Sequence, residues 1–465
     1  MHYLASDLVI DPVLIRKYDV GGPRYTSYPT ADRFVEAFGE AEFKQWLAKR
    51  NIGGISLPLS VYVHLPFCDT LCYYCGCNKV VTRDHGRSAK YIKYLEKELA
   101  LLGPLLGADR QVSQMHWGGG TPTFLSHDEM TELMATTREH FLLRSDAEGE
   151  FSIEVDPREA SPKTIVHLRN LGFNRLSLGV QDFDPVVQRA INRIQPLEMT
   201  ASVICAARAT GFHSIGVDLI YGLPYQTVSS FSRTLDTMLE LAPDRLSVFG
   251  YAHMPQLFKM QRQMDASTLP SPAERLALLR LVVERLTGAG YVYIGMDHFA
   301  LPTDELARAQ ARRTLHRNFQ GYSTRAECDL IGFGASSIGK VGDVYAQNAK
   351  DLTGYAAAID KGELAIKRGV RLTADDRLRR DIITQLMCNL ELRFDEFEAA
   401  YGIRFHDAFA SELERLRAFE DDGLVKIGAR RLDVELAGRM LVRNIAMVFD
   451  RYLGQQAMQR FSRTV

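Results

Sequence analysis

From residue 59 onward the chain alternates short β-branched runs with longer amphipathic stretches, and few folds accommodate that rhythm. Apolar runs at 60–65, 112–117, 150–155, 174–180, 214–221 and 245–251 predict strands. Between and after them, Lys90–Leu102, Asp128–Met134, Phe231–Leu241 and Ala273–Leu286 carry apolar residues at i, i+3/i+4 spacing, the period of a helix with one buried face. Six strand–helix units in series imply a parallel sheet, which right-handed crossovers curl or close. The pattern alone does not choose between a barrel and an open doubly wound sheet. In both, loops leaving the carboxyl ends of the strands build the functional site.

The loop after the first strand is Cys68-Asp-Thr-Leu-Cys72-Tyr-Tyr-Cys75-Gly-Cys77. Seven cysteines occur in 465 residues, and Cys205, Cys328 and Cys388 are scattered singly. A secreted disulfide scaffold is short and cysteine-dense, so the cluster reads as a metal site. Zinc takes four ligands in a closed tetrahedron, usually from two C-x2-C knuckles. Here the spacing is three, two and one, with no second knuckle. An iron–sulfur cube is larger, and one irregular loop can reach three of its corners, leaving one iron open.

Composition narrows the rest. A 46% hydrophobic share is that of a globular protein with a sizeable core. A formal net charge of −1 supplies no field toward nucleic acid or anionic membrane. No apolar run approaches the ~20 residues of a spanning helix. Met1-His-Tyr-Leu-Ala-Ser-Asp7 lacks the basic flank and apolar region of a signal peptide. A cytoplasmic monomer is the expectation.

Cys68-x3-Cys72-x2-Cys75, with Tyr74 before the last cysteine, resembles the signature of the radical S-adenosylmethionine (SAM) superfamily. The string from His64-Leu-Pro-Phe-Cys68 to Cys75-Gly-Cys77-Asn78-Lys79 resembles one branch, the oxygen-independent coproporphyrinogen III oxidases of haem biosynthesis. Further similar blocks run through Gly22–Thr30, His116–Pro122, Ser152–Arg158, Gly179–Phe183, Asp218–Pro224, Met296–Phe299 and Leu315–Tyr322. The resemblance implies a (β/α)6 partial barrel of the TIM type over residues 51–355, behind an N-terminal arm over 1–50. A mainly helical, winged-helix-like domain is expected over 356–465. Ala374–Met387 and Phe409–Phe419 read as its helices, and Asp421–Glu435 as its hairpin. DNA binding would need a dense basic stripe there, and none is present.

The resemblance also implies cofactors and site residues. Cys68, Cys72 and Cys75 are the expected ligands of one 4Fe-4S cluster, and the open iron is the expected seat of SAM, two molecules of which are held side by side. Cys77 is expected to act beside the cluster without ligating it; the alternative is a fourth ligand. Gly119, Gly120 and Thr121 follow the second strand, where exposed backbone would meet the aminoacyl end of SAM; the plainer reading is a tight turn. Glu154 interrupts an apolar strand and is expected to accept from ribose hydroxyls, against an ion pair with Arg158 or Arg175. Tyr62, Tyr74, Gln181, Arg193, Asp218, Ala252 and Ile338 carry over as SAM contacts, although lone aromatics are by default core residues.

The implied substrate, coproporphyrinogen III, presents four propionates; Arg24 and Arg317 are the candidates to meet them, where surface arginines are the ordinary reading. The implied reaction is decarboxylation of the ring A and B propionates to vinyls by a 5′-deoxyadenosyl radical, with an unidentified electron donor and acceptor. A haem-binding chaperone of the same superfamily is the alternative, and the Cys75-Gly-Cys77-Asn78 extension and the Gly22–Tyr28 arm argue against it.

Overall fold

The computed structural model describes residues 11–50, 52, 57–107, 109–454 and 461–464. The segment Met1–Asp7 and the expected boundary at residue 51 lie outside these. All six predicted strands form: β1 (Leu59–Leu65), β2 (Gln111–Gly119), β3 (Glu150–Val155), β4 (Arg175–Gln181), β5 (Ser214–Tyr221) and β6 (Arg245–Gly250). Each pairs in parallel with the next, in chain order. Helices α3 (Gly86–Leu102), α4 (His127–His140), α5 (Pro162–Asn170), α6 (Leu197–Ala209) and α7 (Val228–Leu241) fill the crossovers, and α8 (Pro272–Gly288) follows β6. The result is a (β/α)6 partial barrel.

Local chemistry sets the helix starts. Ser126, Ser161, Thr227 and Ser271 each accept from the N3 amide of the following helix while the N3 side chain returns to the cap, so two orphan donors are satisfied at once. Proline occupies the first turn of α5 and α8, where its missing N–H costs nothing.

The sheet extends beyond the six units. On one side β7 (Val292–Gly295) and β8 (His298–Ala300) add antiparallel to β6. On the other, β9 (Asp329–Phe333) pairs in parallel with β1 and continues through antiparallel β10 (Ile338–Val341), β11 (Val344–Asn348) and β12 (Ile366–Arg371). The sheet therefore runs on past residue 355. Among the described residues its order is linear, with no bond between β7 and β12, so it stays open.

After β12 come α9 (Ala374–Asn389), α10 (Phe394–Tyr401) and α11 (Ala410–Asp421), with the three-stranded sheet of β13 (Glu391–Arg393), β14 (Val425–Ile427) and β15 (Arg431–Val434). Their core, around Phe394, Phe405, Phe409 and Phe449, also takes in Tyr25 and Tyr28 of the arm. The arm begins with α1 (Pro12–Tyr18) and ends with α2 (Glu40–Arg50). The N-cap of α1, Asp11, accepts from the Val13 and Leu14 amides.

Candidate active site: a sulfur-lined cavity at the barrel mouth

The register of the parallel strands brings the chemistry to one end. Leu65 lies beside Gly119, Glu154 beside Ser177, and Gly179 beside Asp218. The cysteine loop leaves β1 and is closed by a short parallel pairing of Phe67–Cys68 with Val80–Val81. The Thr82 amide donates to the Cys68 carbonyl at 3.0 Å, and Lys79 Nζ donates to the Cys75 carbonyl at 3.2 Å. Cys68, Cys72, Cys75 and Cys77 all face a cavity of about 310 Å³. Tyr74, Gly119, Gly120, Thr121, Glu154, Gln181, Arg193 and Asp218 also line it.

Donors are aimed at the sulfurs. Arg158 Nη2 lies 3.4 Å and Arg193 Nη1 3.6 Å from Cys72 Sγ, and Thr121 Oγ1 donates to Cys68 Sγ over 3.5 Å. Both guanidiniums are held by Asp156, at 2.7 Å and 3.0 Å. The two arginines and the carboxylate form one buried cluster against the loop, and it keeps the Asp156 carboxyl low despite burial, which alone would raise it. The Cys77 thiol donates to Cys75 and draws its pKa down to about 5; burial opposes this and Lys79 assists. Burial raises Cys68 to about 11. Among the described residues no His, Cys, Asp or Glu trio is gathered as for one metal ion. Sulfurs that line one cavity and are flanked by cationic and hydroxyl donors fit an iron–sulfur cluster held by several of them.

The glycine turn is fixed by packing within the protein. A Cβ on Gly119, at φ +118°, would stand 2.5 Å from the His64 ring, and one on Gly120 2.6 Å from the Pro66 carbonyl carbon. The amides are occupied too: Gly119 donates to Glu154 at 3.1 Å, Gly120 to Leu65 at 2.8 Å and Thr121 to Phe67 at 2.7 Å. A ligand at this turn therefore meets its carbonyls and the Thr121 hydroxyl, the amides being already engaged within the protein.

Glu154 forms no ion pair with Arg158 or Arg175. Arg175 pairs with Glu305 at 2.6 Å. Glu154 instead accepts from His116 Nε2 at 3.2 Å and keeps its side chain 44% exposed to the cavity. Burial pushes its pKa up, but His116 and the Gly119 amide outweigh it and hold the carboxyl low. The Tyr62 ring stacks on His116 at 5.8 Å, and its hydroxyl meets His64 Nδ1 at 3.1 Å. Asp218 is raised to about 6 by burial, with the neighbouring Glu154 adding to it, while Ser247 and Ser177 donate to it.

Three expected contacts, Tyr62 behind His116 among them, lie outside this lining. Ala252 lines a neighbouring cavity, and Ile338 packs beside Phe34 and Tyr345. Arg24 pairs with Asp297 at 2.8 Å, and Arg317 is buried over the Tyr322 ring at 4.7 Å, so neither is an idle surface arginine. Sequence reading passed over Asp156, Arg158 and His116 as site groups. Strand alternation was the available signal, because Asp156 follows Glu154 by two residues, and Arg158 by two more.

This barrel with its cysteine loop defines the radical SAM class, and the Radical SAM superfamily matches residues 62–238. The HemN C-terminal domain matches residues 372–441. The oxygen-independent coproporphyrinogen III oxidase of Pseudomonas aeruginosa is 52% identical over 455 residues, covering 98% of each chain. That of Escherichia coli K12 is 50% identical over 456 residues, with the same coverage. The solved structure of coproporphyrinogen III oxidase (HemN) from Escherichia coli, described as a radical SAM enzyme, superposes with a TM-score of 0.92 at 48% identity, over 96% of this chain and 100% of that one. The chain belongs to the oxygen-independent coproporphyrinogen III oxidase family.

Proposed function

We propose that this chain catalyses the oxygen-independent oxidative decarboxylation of the ring A and B propionates of coproporphyrinogen III, giving the vinyls of protoporphyrinogen IX in haem biosynthesis. The observation that carries the reading is likeness across nearly the whole chain to relatives bearing that name, 52% over 98% of both chains in one case. When bound, a 4Fe-4S cluster and SAM supply one-electron cleavage to a carbon radical that removes hydrogen from the propionate.

The chain's own residues bind, orient and exclude. Cys68, Cys72 and Cys75 hold the cluster. Cys77 sits beside it and serves turnover. Arg158 and Arg193, braced by Asp156, balance the thiolate charge at Cys72. Glu154, low in pKa and open to the cavity, accepts hydroxyl donors of SAM. Thr121, Gln181 and Asp218 supply the other polar contacts, and Tyr62 keeps His116 turned toward Glu154. Two SAM molecules match two decarboxylations.

The electron donor and acceptor come from outside the chain. None of the seven cysteines is in a disulfide, which suits a reducing cytoplasm. No helix among the described residues is long and apolar enough to cross a membrane.

The test is anaerobic incubation of reconstituted protein with dithionite, SAM, coproporphyrinogen III and an electron acceptor, followed by chromatography. Vinyl-bearing product is expected. Stable haem binding without decarboxylation would assign the chain to haem delivery instead.

A further inference from the structure

A second cavity of about 300 Å³ opens where the arm, the β7–β8 turn, α8 and the C-terminal segment meet. A single ring separates it from the sulfur-lined one. Phe249 lines the first cavity, and the Arg24 guanidinium lies over the same ring at 5.3 Å from within the second. Successive residues explain the sharing: Ile220 and Phe249 face the first cavity, Tyr221 and Gly250 the second.

The charge of the second cavity is lopsided. Arg24, Arg275, Arg443 and Arg463 line it, against one carboxylate, Asp297. Asp297 is engaged by Arg24 at 2.8 Å, and Arg463 is held by Asp19 at 2.6 Å, outside the lining. Arg443, 5% exposed, is held by carbonyls alone: Gly22, Pro23 at 3.3 Å, Arg463 at 3.1 Å and Thr464 at 3.4 Å. The guanidinium of Arg275, in the first turn of α8, has no hydrogen-bond or ion-pair partner among the described residues. Next to the cavity, Arg317 donates from Nε to the Arg24 carbonyl at 3.4 Å and keeps a buried Nη1 without a partner. Guanidiniums gathered with so little counter-charge are costly to hold together unless an anion completes them. Leu279, Met440 and Tyr251 add apolar wall, so the complement is an anion with a hydrocarbon body.

We propose that this cavity is a carboxylate subsite that holds the propionates of the tetrapyrrole which are not decarboxylated, while a reacting propionate reaches past Phe249 toward the cofactors. This rests on the function proposed above and names the residues that seat its substrate: Arg275 and Arg24 by direct contact, with Arg443 fixing the arm and tail around them. Arg–carboxylate pairs are charge-assisted and often bidentate, so loss of a direct one is expected to weaken binding about tenfold or more.

The probe is coproporphyrin III, the stable oxidised tetracarboxylate, titrated by fluorescence quenching into the full-length protein, with its tetramethyl ester as the uncharged control. The unmutated protein is expected to bind the free acid and to bind the ester at least tenfold more weakly. Arg275→Leu is expected to lose about tenfold for the free acid and Arg275→Lys to recover part of it, with SAM affinity unchanged in both. Because Arg275 holds nothing else in place, the melting curve should not move.

Equal binding of free acid by Arg275→Leu and unmutated protein would overturn the subsite, as would equal binding of acid and ester. A loss of SAM affinity instead would overturn it by giving the cavity to the SAM carboxylate. Failure of the unmutated protein to form vinyl product would sink the proposed function while leaving this binding result standing, so the two fail separately.

Discussion

Glu154 and Asp156 stand two residues apart at the end of β3, facing the same cavity, and the protein uses them in opposite ways. Asp156 is 8% exposed and gripped by two guanidiniums, which in turn reach Cys72. Glu154 has one imidazole and one amide for partners and keeps 44% of its side chain open. A carboxylate locked between arginines has no lone pair to offer a ligand, but it fixes positive charge beside anionic sulfur. A carboxylate with only two protein donors keeps acceptor capacity for a bound molecule. On the proposed function, the comparison separates residues that hold the cluster's wall from residues that hold what docks on it.

The comparison is tested hardest at the sulfurs. Serine in place of Cys68, Cys72 or Cys75 should abolish the brown absorbance and the bound iron of anaerobically reconstituted protein, and full retention in any one would remove that residue from the ligand set. Cys77→Ser should keep the iron and lose turnover; lost iron would make Cys77 a ligand.

Next in size is Asp156→Ala, which leaves Arg158 and Arg193 buried without their carboxylate. Breaking one side of such a cluster costs about 3–5 kcal/mol. Its melting temperature should fall by several degrees, and reconstitution should yield less iron. Glu154→Gln should leave melting and iron content alone and weaken SAM binding about tenfold, the loss of one charged hydrogen bond. If the two variants behaved alike, the division between wall and dock would fail.

The smallest effect concerns Asp218, the third carboxyl of the cavity. Its folded pKa of about 6 lies above the ordinary 3.8. A raised value means the protonated form is favoured on folding, so this group's contribution is complete below 3.8 and is lost as pH rises through about 6. Asp218→Asn should remove that fall from a series of denaturant titrations between pH 4 and 7, measured without ligand; an unchanged slope would mean that Asp218 ionises normally.

Much of this arrangement is legible in the sequence because it depends on local pattern. The six strands follow from β-branched runs, the helices between them from apolar residues at i, i+3/i+4 spacing, and the cysteine loop from its spacing. What escapes reading depends on partners far along the chain. Strands β9 to β12 are short and acquire their place by pairing with β1 and one another. Tyr25 and Tyr28 look like a polar arm until Asp450 and the Arg451 amide are brought to their hydroxyls. The glycine turn reads as exposed backbone, and only the register of β2 against β1 reveals that Leu65 and Phe67 already take the Gly120 and Thr121 amides. The clamp on Cys72 joins Arg193 to Arg158 through Asp156, a conjunction that spacing does not encode.

The central claim is an iron corner left open by three protein sulfurs and filled by SAM. It is tested most directly by electron–nuclear double resonance on the reduced, anaerobic protein with SAM labelled at its amino nitrogen and carboxylate oxygens. The account predicts hyperfine coupling from both labels, present in unmutated protein and retained in Cys77→Ser. A cluster whose spectrum ignores the labels, or whose fourth iron carries a protein sulfur, would contradict it.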